Sequence, residues 1–309
     1  MRDVVGTLEW VGDVADQPGP SHWQVRRKDG TTVRIDMTQV VAAKIVPDRK
    51  TSPRGARSVA DDELERIAAA GWRPLVSEPL GDWTLRASGG FTGRANSVLP
   101  LGDPGIALDG ALAHVVDWYQ ARQLPPLFQI PLPYAAQLDA ELDRRDWVSF
   151  NPTLVMVADL SQLLMAEPAR ADLPEVRLTT QPSSAWLQTC SYRGQKLPPV
   201  APEVMVNSDQ PLFASIADNG RDDAEHESLL AVARGAIHQG WLGITAVDVI
   251  EGARRRGLAS HMMRALFEHA RTKGVRYVYL QATAENLPAQ ALYEGMGFTV
   301  HHRYHYRRS

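Results

Sequence analysis

Residues 249–260 read VIEGARRRGLAS. An apolar β-type run, GITAVDVI (243–250), leads into this stretch, and an amphipathic run, SHMMRALFEHA (260–270), leaves it. Three consecutive cations, Arg254, Arg255 and Arg256, and one glycine, Gly257, therefore fall at a strand-to-helix junction. The first turn of a helix leaves backbone N–H groups without partners, and the helix dipole adds about half a positive charge there. Gly257 offers no Cβ to obstruct a ligand approaching the backbone, and Ala259 is nearly as small. Guanidinium groups suit phosphate oxygens in charge and shape. The stretch reads as an anion seat, against the alternative of a solvated, charged turn. It is not a P-loop, since G-x-x-x-x-G-K-[ST] is missing, and a lone glycine late in the chain is not a dinucleotide G-x-G-x-x-G turn.

The downstream sequence selects between these readings. After the helix come a strand, VRYVYLQA (275–282), then Asn286, a second helix, PAQALYEGM (288–296), and Gly297-Phe298. Pro288 suits a first helical turn and Gly297 a helix stop. R-x-x-G-x-A (Arg254, Gly257, Ala259) followed by Asn286, Ala289, Leu292-Tyr293 and Gly297-Phe298 resembles the ordered pattern of the GCN5-related N-acetyltransferases over roughly 170–309. The resemblance implies an α/β (α+β) fold with a mixed central sheet flanked by helices. It implies acetyl-CoA as co-substrate and a primary amine, on a protein or a small molecule, as acceptor. Val247, Asp248 and Val249 match the strand end whose backbone holds the pantetheine arm. Arg254, Arg255, Arg256, Gly257, Leu258, Ala259 and Ser260 match the pyrophosphate turn, and Asn286 the asparagine beside the pantetheine.

Tyr293 matches the family tyrosine that protonates the departing thiolate. A phenol with a pKa of ~10 is protonated at neutral pH and is a fitting donor; without the resemblance Tyr293 reads as a half-buried core residue beside Ala289 and Met296. Backbone N–H groups near Val247 to Val249 suit the oxyanion. Family members often place a glutamate base on either central strand. The matching positions hold Thr245 and Gln281, which leaves the base open among Asp248, Glu227, His238 and a water chain.

Working outward, residues 59–165 carry a similar rhythm of helix, strand, helix, and we read them as a degenerate GNAT-like copy preceding the catalytic domain at 170–309. The first copy opens its helix with PLGDPGIALDGALA (100–113), where Asp103 and Asp109 would repel a pyrophosphate, so it is expected to bind no acetyl-CoA. Its string GGFTGRANSVLP (89–100) reads as turn and strand, with Arg94 or Asn96 as candidates to face the substrate cleft. Residues 1–50 carry short strands and an Asp29-Gly30 hairpin signal, and resemble a small SH3-like β-barrel in which Trp10 and Trp23 line a groove or fill the core. PDRKTSPRGARS (47–58) reads as a linker.

The chain has 309 residues, a net charge of −3 and one cysteine, Cys190. Internal disulfides and cysteine-based zinc sites are excluded, and Cys190 reads as core. No apolar run reaches the ~20 residues of a membrane span, so a cytoplasmic protein is expected, with no membrane partner. The isolated arginine run lacks interleaved aromatics, which argues against nucleic acid. His301 and His305 would share a strand face, but with no carboxylate beside them in sequence no metal is expected. Two other readings stay open: a tandem enzyme resembling mycothiol synthase, and a non-catalytic acyl-CoA sensor or scaffold.

Overall fold

The computed structural model describes residues 7–9, 22–27, 29–36, 40, 55–166, 168–192, 194–218 and 228–309. The chain divides into two units, Met1–Thr51 and Ser52–Ser309. In the first, strands β1 (Thr7–Glu9), β2 (His22–Arg26) and β3 (Thr32–Asp36) form an antiparallel sheet in that order. The β2–β3 turn is the one marked by Asp29-Gly30. Gly30 takes a φ of 83°, and Asp29 Oδ1 accepts from the Thr31 amide (2.9 Å) and hydroxyl (2.6 Å). The strand expected over 40–46 falls, apart from Val40, outside the described residues, as does Trp10; the described strands alone do not establish a barrel.

In the second unit, the first half runs α1 (Asp61–Gly71), β4 (Val76–Leu80), β5 (Trp83–Ala87), β6 (Leu99–Pro100), α2 (Leu108–Gln120), β7 (Leu127–Leu132), α3 (Ala136–Asp143), β8 (Val148–Asp159) and α4 (Leu160–Ala166). The second half runs β9 (Val176–Thr179), α5 (Ser184–Thr189), β10 (Ser191–Tyr192), β11 (Gln195–Lys196), α6 (Ala201–Val206), β12 (Pro211–Ala217), β13 (Leu229–His238), β14 (Trp241–Val249), α7 (Leu258–Thr272), β15 (Tyr277–Thr283), α8 (Leu287–Met296) and β16 (Thr299–Arg308). One eight-stranded sheet joins the halves, in the order β7-β16-β8-β15-β14-β13-β12-β9.

The final strand of each half lies between strands of the other. Strand β16 pairs with β7 and β8, while β8 pairs with β15 and β16, all antiparallel. The two helix–strand–helix–strand runs read from the sequence, α2-β7-α3-β8 and α7-β15-α8-β16, thus interlock. Alternation along β8 shows how the sheet serves two cores. Leu154, Met156 and Ala158 pack with α4, α7 and α8, whereas Val155 and Val157 pack with α1.

The Glu65 carboxylate, buried between the halves, is paired rather than isolated. Glu65 on α1 accepts from Gln129 Nε2 (2.7 Å) and meets His302 Nε2 (2.8 Å), and Gln129 accepts from Arg86 (2.9 Å). An unpaired charge at such depth would cost several kcal/mol.

The stretch 94–100, expected to be a strand, forms one only at Leu99–Pro100. Upstream of it Asn96 saturates a turn. Its Oδ1 accepts from the Ser88 and Gly90 amides (2.7 and 2.9 Å), and its Nδ2 donates to the Phe91 and Thr92 carbonyls (both 2.8 Å). A side chain that satisfies the backbone locally competes with a ladder. Cys190 is buried, as expected of a core residue, and burial pushes its thiol up to about 12. Among the described residues no helix is long and apolar enough to cross a membrane.

Tyr279 on β15 is wedged between Gly243 on β14 and Gly71 on α1; a Cβ at Gly243 would overlap its ring, with Cε1 at 2.9 Å. Gly243→Ala is expected to destabilise the second unit by about 1–3 kcal/mol through overpacking, read as a lower midpoint in urea with an unchanged denaturant slope.

Candidate active site

Strands β14 and β15 run parallel and pair from Trp241↔Tyr277 to Ile244↔Leu280. Beyond that point they part. β14 continues to Val249 against β13, and β15 continues to Thr283 against β8. A bulge accompanies the split: Thr245 pairs with Arg234 and Asp248 with Val232, so that Ala246 and Val247 together face the single residue Ala233. Ala246 takes a φ of 52°, a left-handed conformation unusual for a residue with a Cβ. Bulges bend a strand and increase its twist. Here the result is a wedge-shaped cleft, and on the edge facing β15 the backbone of Thr245–Val249 has no ladder partner among the described residues. Val247, Asp248 and Val249, expected on a splayed edge, lie on it, half-buried.

The chain then turns through Glu251–Ala253 into α7. Arg255 (φ 61°) and Gly257 (φ 83°) are both left-handed, and Gly257 is the N-cap of α7 with no side-chain cap. His261 N is the first amide bonded inside the helix, to Gly257 O (3.0 Å), which leaves the amides of Leu258, Ala259 and Ser260 at the helix mouth. Buried Ala253 and Leu258 pin the turn from below. Arg255 and Arg256 are exposed. Arg254 is exposed too, but its Nε donates to Val249 O (3.1 Å), tying the turn to the end of β14.

A cavity of about 200 Å³ lies at this mouth, lined by Pro168, Arg170, Gly257, Ser260 and His261. Arg170 Nη1 would lie 3.5 Å from a Cβ on Gly257, and the guanidinium donates through Nε and Nη2 to the two carboxylate oxygens of Asp172 (both bonds 2.7 Å). The sequence reading missed Arg170 because it lies in the connection between the two halves, outside any motif.

Asn286 caps α8, its Oδ1 accepting from Ala289 N (3.2 Å), so the side chain has a structural task at the expected position. Tyr293 is buried on α8 against Phe298 (ring centroids 6.0 Å apart). Burial alone pushes its hydroxyl up to about 12, and among the described residues that hydroxyl has no hydrogen-bond partner. Val247, Val249, Leu258, Ala289 and Tyr293 belong to one apolar cluster, which holds the splayed edge, the turn and α8 together.

The opposite face of the cleft carries Thr245 and Gln281, the first residue of each strand beyond the last β14–β15 pair. Gln281 Oε1 accepts from Arg94 Nη1 (2.7 Å) and Tyr304 OH (3.0 Å), while its buried Nε2 has no partner. Thr245 Oγ1 accepts from Arg234 (3.4 Å). Arg94 and Arg234 both stack on Trp72, at 5.2 and 4.7 Å from the ring centroid. Arg234 is fully buried among neutral oxygens, including Met205 O (2.6 Å), and desolvation, aided by the charge on Arg94, lowers its pKa to about 9. Among the described residues neither arginine forms an ion pair.

Of the candidate bases, Asp248 is engaged by Ser191 through its amide (3.0 Å) and hydroxyl (2.6 Å). His238 pairs with Asp209 (2.6 Å) at the β13–β14 hairpin, the far end of β14 from the cleft. Glu227 lies outside the described residues. Of the two first-half candidates, Arg94 reaches the cleft and Asn96 is consumed by its turn. Beside them a second cavity, of about 180 Å³, is bounded by Gly90, Gly93, Leu124, Phe150, Tyr192 and Tyr306.

The match to a family model and to named N-acetyltransferases makes this chain an acyltransferase of the GCN5-related N-acetyltransferase superfamily. Residues 62–307 match the family described as "Probable histone acetyltransferase Rv0428c C-terminal", and the chain belongs to that family. The chain is 28% identical over 264 residues to "Uncharacterized N-acetyltransferase YobR" of Bacillus subtilis, covering 79% of this chain and 97% of that protein. It is 28% identical over 317 residues to "Probable histone acetyltransferase Rv0428c" of Mycobacterium tuberculosis, covering 99% and 88%. Among solved structures, a tandem GNAT protein from the clavulanic acid biosynthesis pathway superposes with a TM-score of 0.55 at 13% identity, over 84% of this chain and 90% of that one.

Gly257→Glu is expected to abolish acetyl-CoA binding in calorimetry while the circular dichroism spectrum is kept, because it adds a carboxylate and a Cβ at a left-handed position. Arg170→Ala is expected to weaken binding by less than about tenfold, since a charge-assisted hydrogen bond at an exposed site contributes on the order of 1 kcal/mol.

Proposed function

We propose that the chain transfers the acetyl group of acetyl-CoA to a primary amine by direct attack. The observation that carries this reading is the union, in one apolar cluster, of the splayed β14 edge, the uncapped start of α7 and Tyr293. The amides of Leu258, Ala259 and Ser260 receive the pyrophosphate, with Arg255, Arg256 and Arg170 as counter-charges and Arg254 holding the turn in place. The free edge at Thr245–Val249 pairs with the pantetheine amides, as a sheet edge pairs with an added strand. An N–H of the Val247–Val249 stretch faces the thioester oxygen, where negative charge develops. Asn286 stands beside the pantetheine as the helix cap.

The acceptor nitrogen bonds to the acyl carbon, and the C–S bond breaks with its electron pair on sulfur. Tyr293 gives the sulfur a proton and is reprotonated from solvent, to which the nitrogen loses its own. A carboxylate base is missing at Thr245 and Gln281, and the two arginines offer a substitute. Like charge disfavours an ammonium ion, so Arg94 and Arg234 bias the acceptor toward the neutral amine that attacks. The cavity beside Phe150, Tyr192 and Tyr306 is the acceptor's approach, and the first half shapes it. That half binds no acetyl-CoA, because α2, its counterpart of α7, carries Asp109 in its first turn. Residues 1–50 are read as an SH3-like accessory barrel, and the compartment as the cytoplasm.

The missing carboxylate also favours a second reading, an acyl-CoA sensor without turnover. Free thiol release from acetyl-CoA with a panel of small amines, a polyamine and a lysine peptide separates the two. Turnover is expected with at least one amine, and tight binding without thiol release across the panel contradicts the enzyme reading. Tyr293→Phe is expected to lower kcat by about 10²-fold or more with little change in KM for acetyl-CoA. Burial raises the pKa of Tyr293, so the acid form is present below about 12. The kcat profile should therefore show no alkaline loss up to roughly pH 10; a limb falling near pH 8 would assign the proton to another group.

A further inference from the structure

His301 and His302 are adjacent in β16, and in a regular strand their side chains would point to opposite faces. A bulge removes that alternation: Val300 pairs with Met156 and His302 with Val155, leaving His301 as the extra residue. Both imidazoles then lie against Asp61, the first residue of α1. His301 Nε2 is 3.0 Å from the Val59 carbonyl oxygen, which can only accept, so this nitrogen carries the hydrogen. His302 Nε2 is 2.8 Å from the Glu65 carboxylate, which fixes the same tautomer. Both Nδ1 atoms therefore present lone pairs, and they face each other at 2.9 Å. Two acceptors at that distance repel unless a positive centre lies between them.

Asp61 Oδ1 completes a triangle, 3.4 Å from His301 Nδ1 and 3.9 Å from His302 Nδ1. A tetrahedral metal with bonds of about 2.1 Å separates its ligand atoms by about 3.4 Å, which these edges bracket. Metal-bound histidines ordinarily donate their other N–H to a carbonyl or carboxylate, as Val59 and Glu65 arrange here. His305, the other histidine considered from sequence, is elsewhere, paired with Asp139 (2.7 Å).

We propose that Asp61, His301 and His302 form a binding site for a divalent transition metal, zinc in the first place. Two imidazoles and one carboxylate in tetrahedral spacing suit zinc better than oxygen-seeking calcium or magnesium. The ion clips α1 of the first half to β16 of the second, on the α1 face of the sheet.

The test is zinc(II) titration of the chelator-treated full chain by calorimetry, with cobalt(II) as a spectroscopic substitute. One ion per chain is expected, together with a raised thermal midpoint and visible bands of tetrahedral cobalt. His301→Gln and Asp61→Asn should each weaken zinc binding by about tenfold or more while keeping the metal-free melting temperature within a few degrees. Asp61 is partly exposed, so its variant guards against a failure to fold. Saturable zinc binding of equal strength in wild type and both variants overturns the proposal, as does no binding in wild type; in the latter case a shared proton bridges the two rings.

Discussion

A single backbone irregularity shapes the cleft of this chain. The extra residue at Ala246–Val247 accompanies the point where β14 stays paired with β13 but no longer pairs with β15, and the cleft of the candidate site opens at that separation. Had β15 continued to pair, the polar groups of Thr245–Val249 would be spent on the sheet and none would be left for a ligand. Ala246 sits in a left-handed conformation to make this happen. Such strain costs of order 1–3 kcal/mol and persists only where the surroundings enforce it. Here they consist of the Val249–Arg254 tie, buried Ala253 and Leu258, and the Asp248–Ser191 latch.

The second constraint is shared construction. Because β16 lies between β7 and β8, and β8 between β16 and β15, neither half can complete its sheet alone. The first half also contributes to the cleft face that carries Thr245 and Gln281. Arg94 reaches Gln281, Trp72 underlies two guanidinium groups, and Gly93 lets Tyr306 come close, since a Cβ there would lie 2.6 Å from the ring. The first half thus has a structural and electrostatic part in the cleft.

Much of this was legible in the sequence, and the rest was hidden for definite reasons. Gly257 and the arginines marked the strand-to-helix junction, and the ordered residues downstream of it, not the glycine alone, separated an anion seat from a solvated turn. The interlocked strands could be anticipated only as a repeated rhythm, since pairing partners some 150 residues apart leave no local mark. Arg94 stood out as a candidate, but its partner Gln281 lies far along the chain. Arg170, from an unpatterned connection, gave no signal. The bulges were invisible as well: alternation predicted that His301 and His305 share a face, whereas the extra residue at His301 sends it to Asp61 and leaves His305 with Asp139. Asn96 misled in the other direction, because a strand-like run was overruled by a side chain that satisfies its own turn.

The central claim is that the gap between β14 and β15 and the mouth of α7 form one continuous binding surface. A crystal structure of the full chain grown with acetyl-CoA tests it most directly. Phosphate oxygens are expected within hydrogen-bond distance of the Leu258–Ser260 amides, with the pantetheine arm lying along Thr245–Val249. Cofactor density at the start of α2, or a gap filled by side chains while the cofactor binds elsewhere, would contradict it.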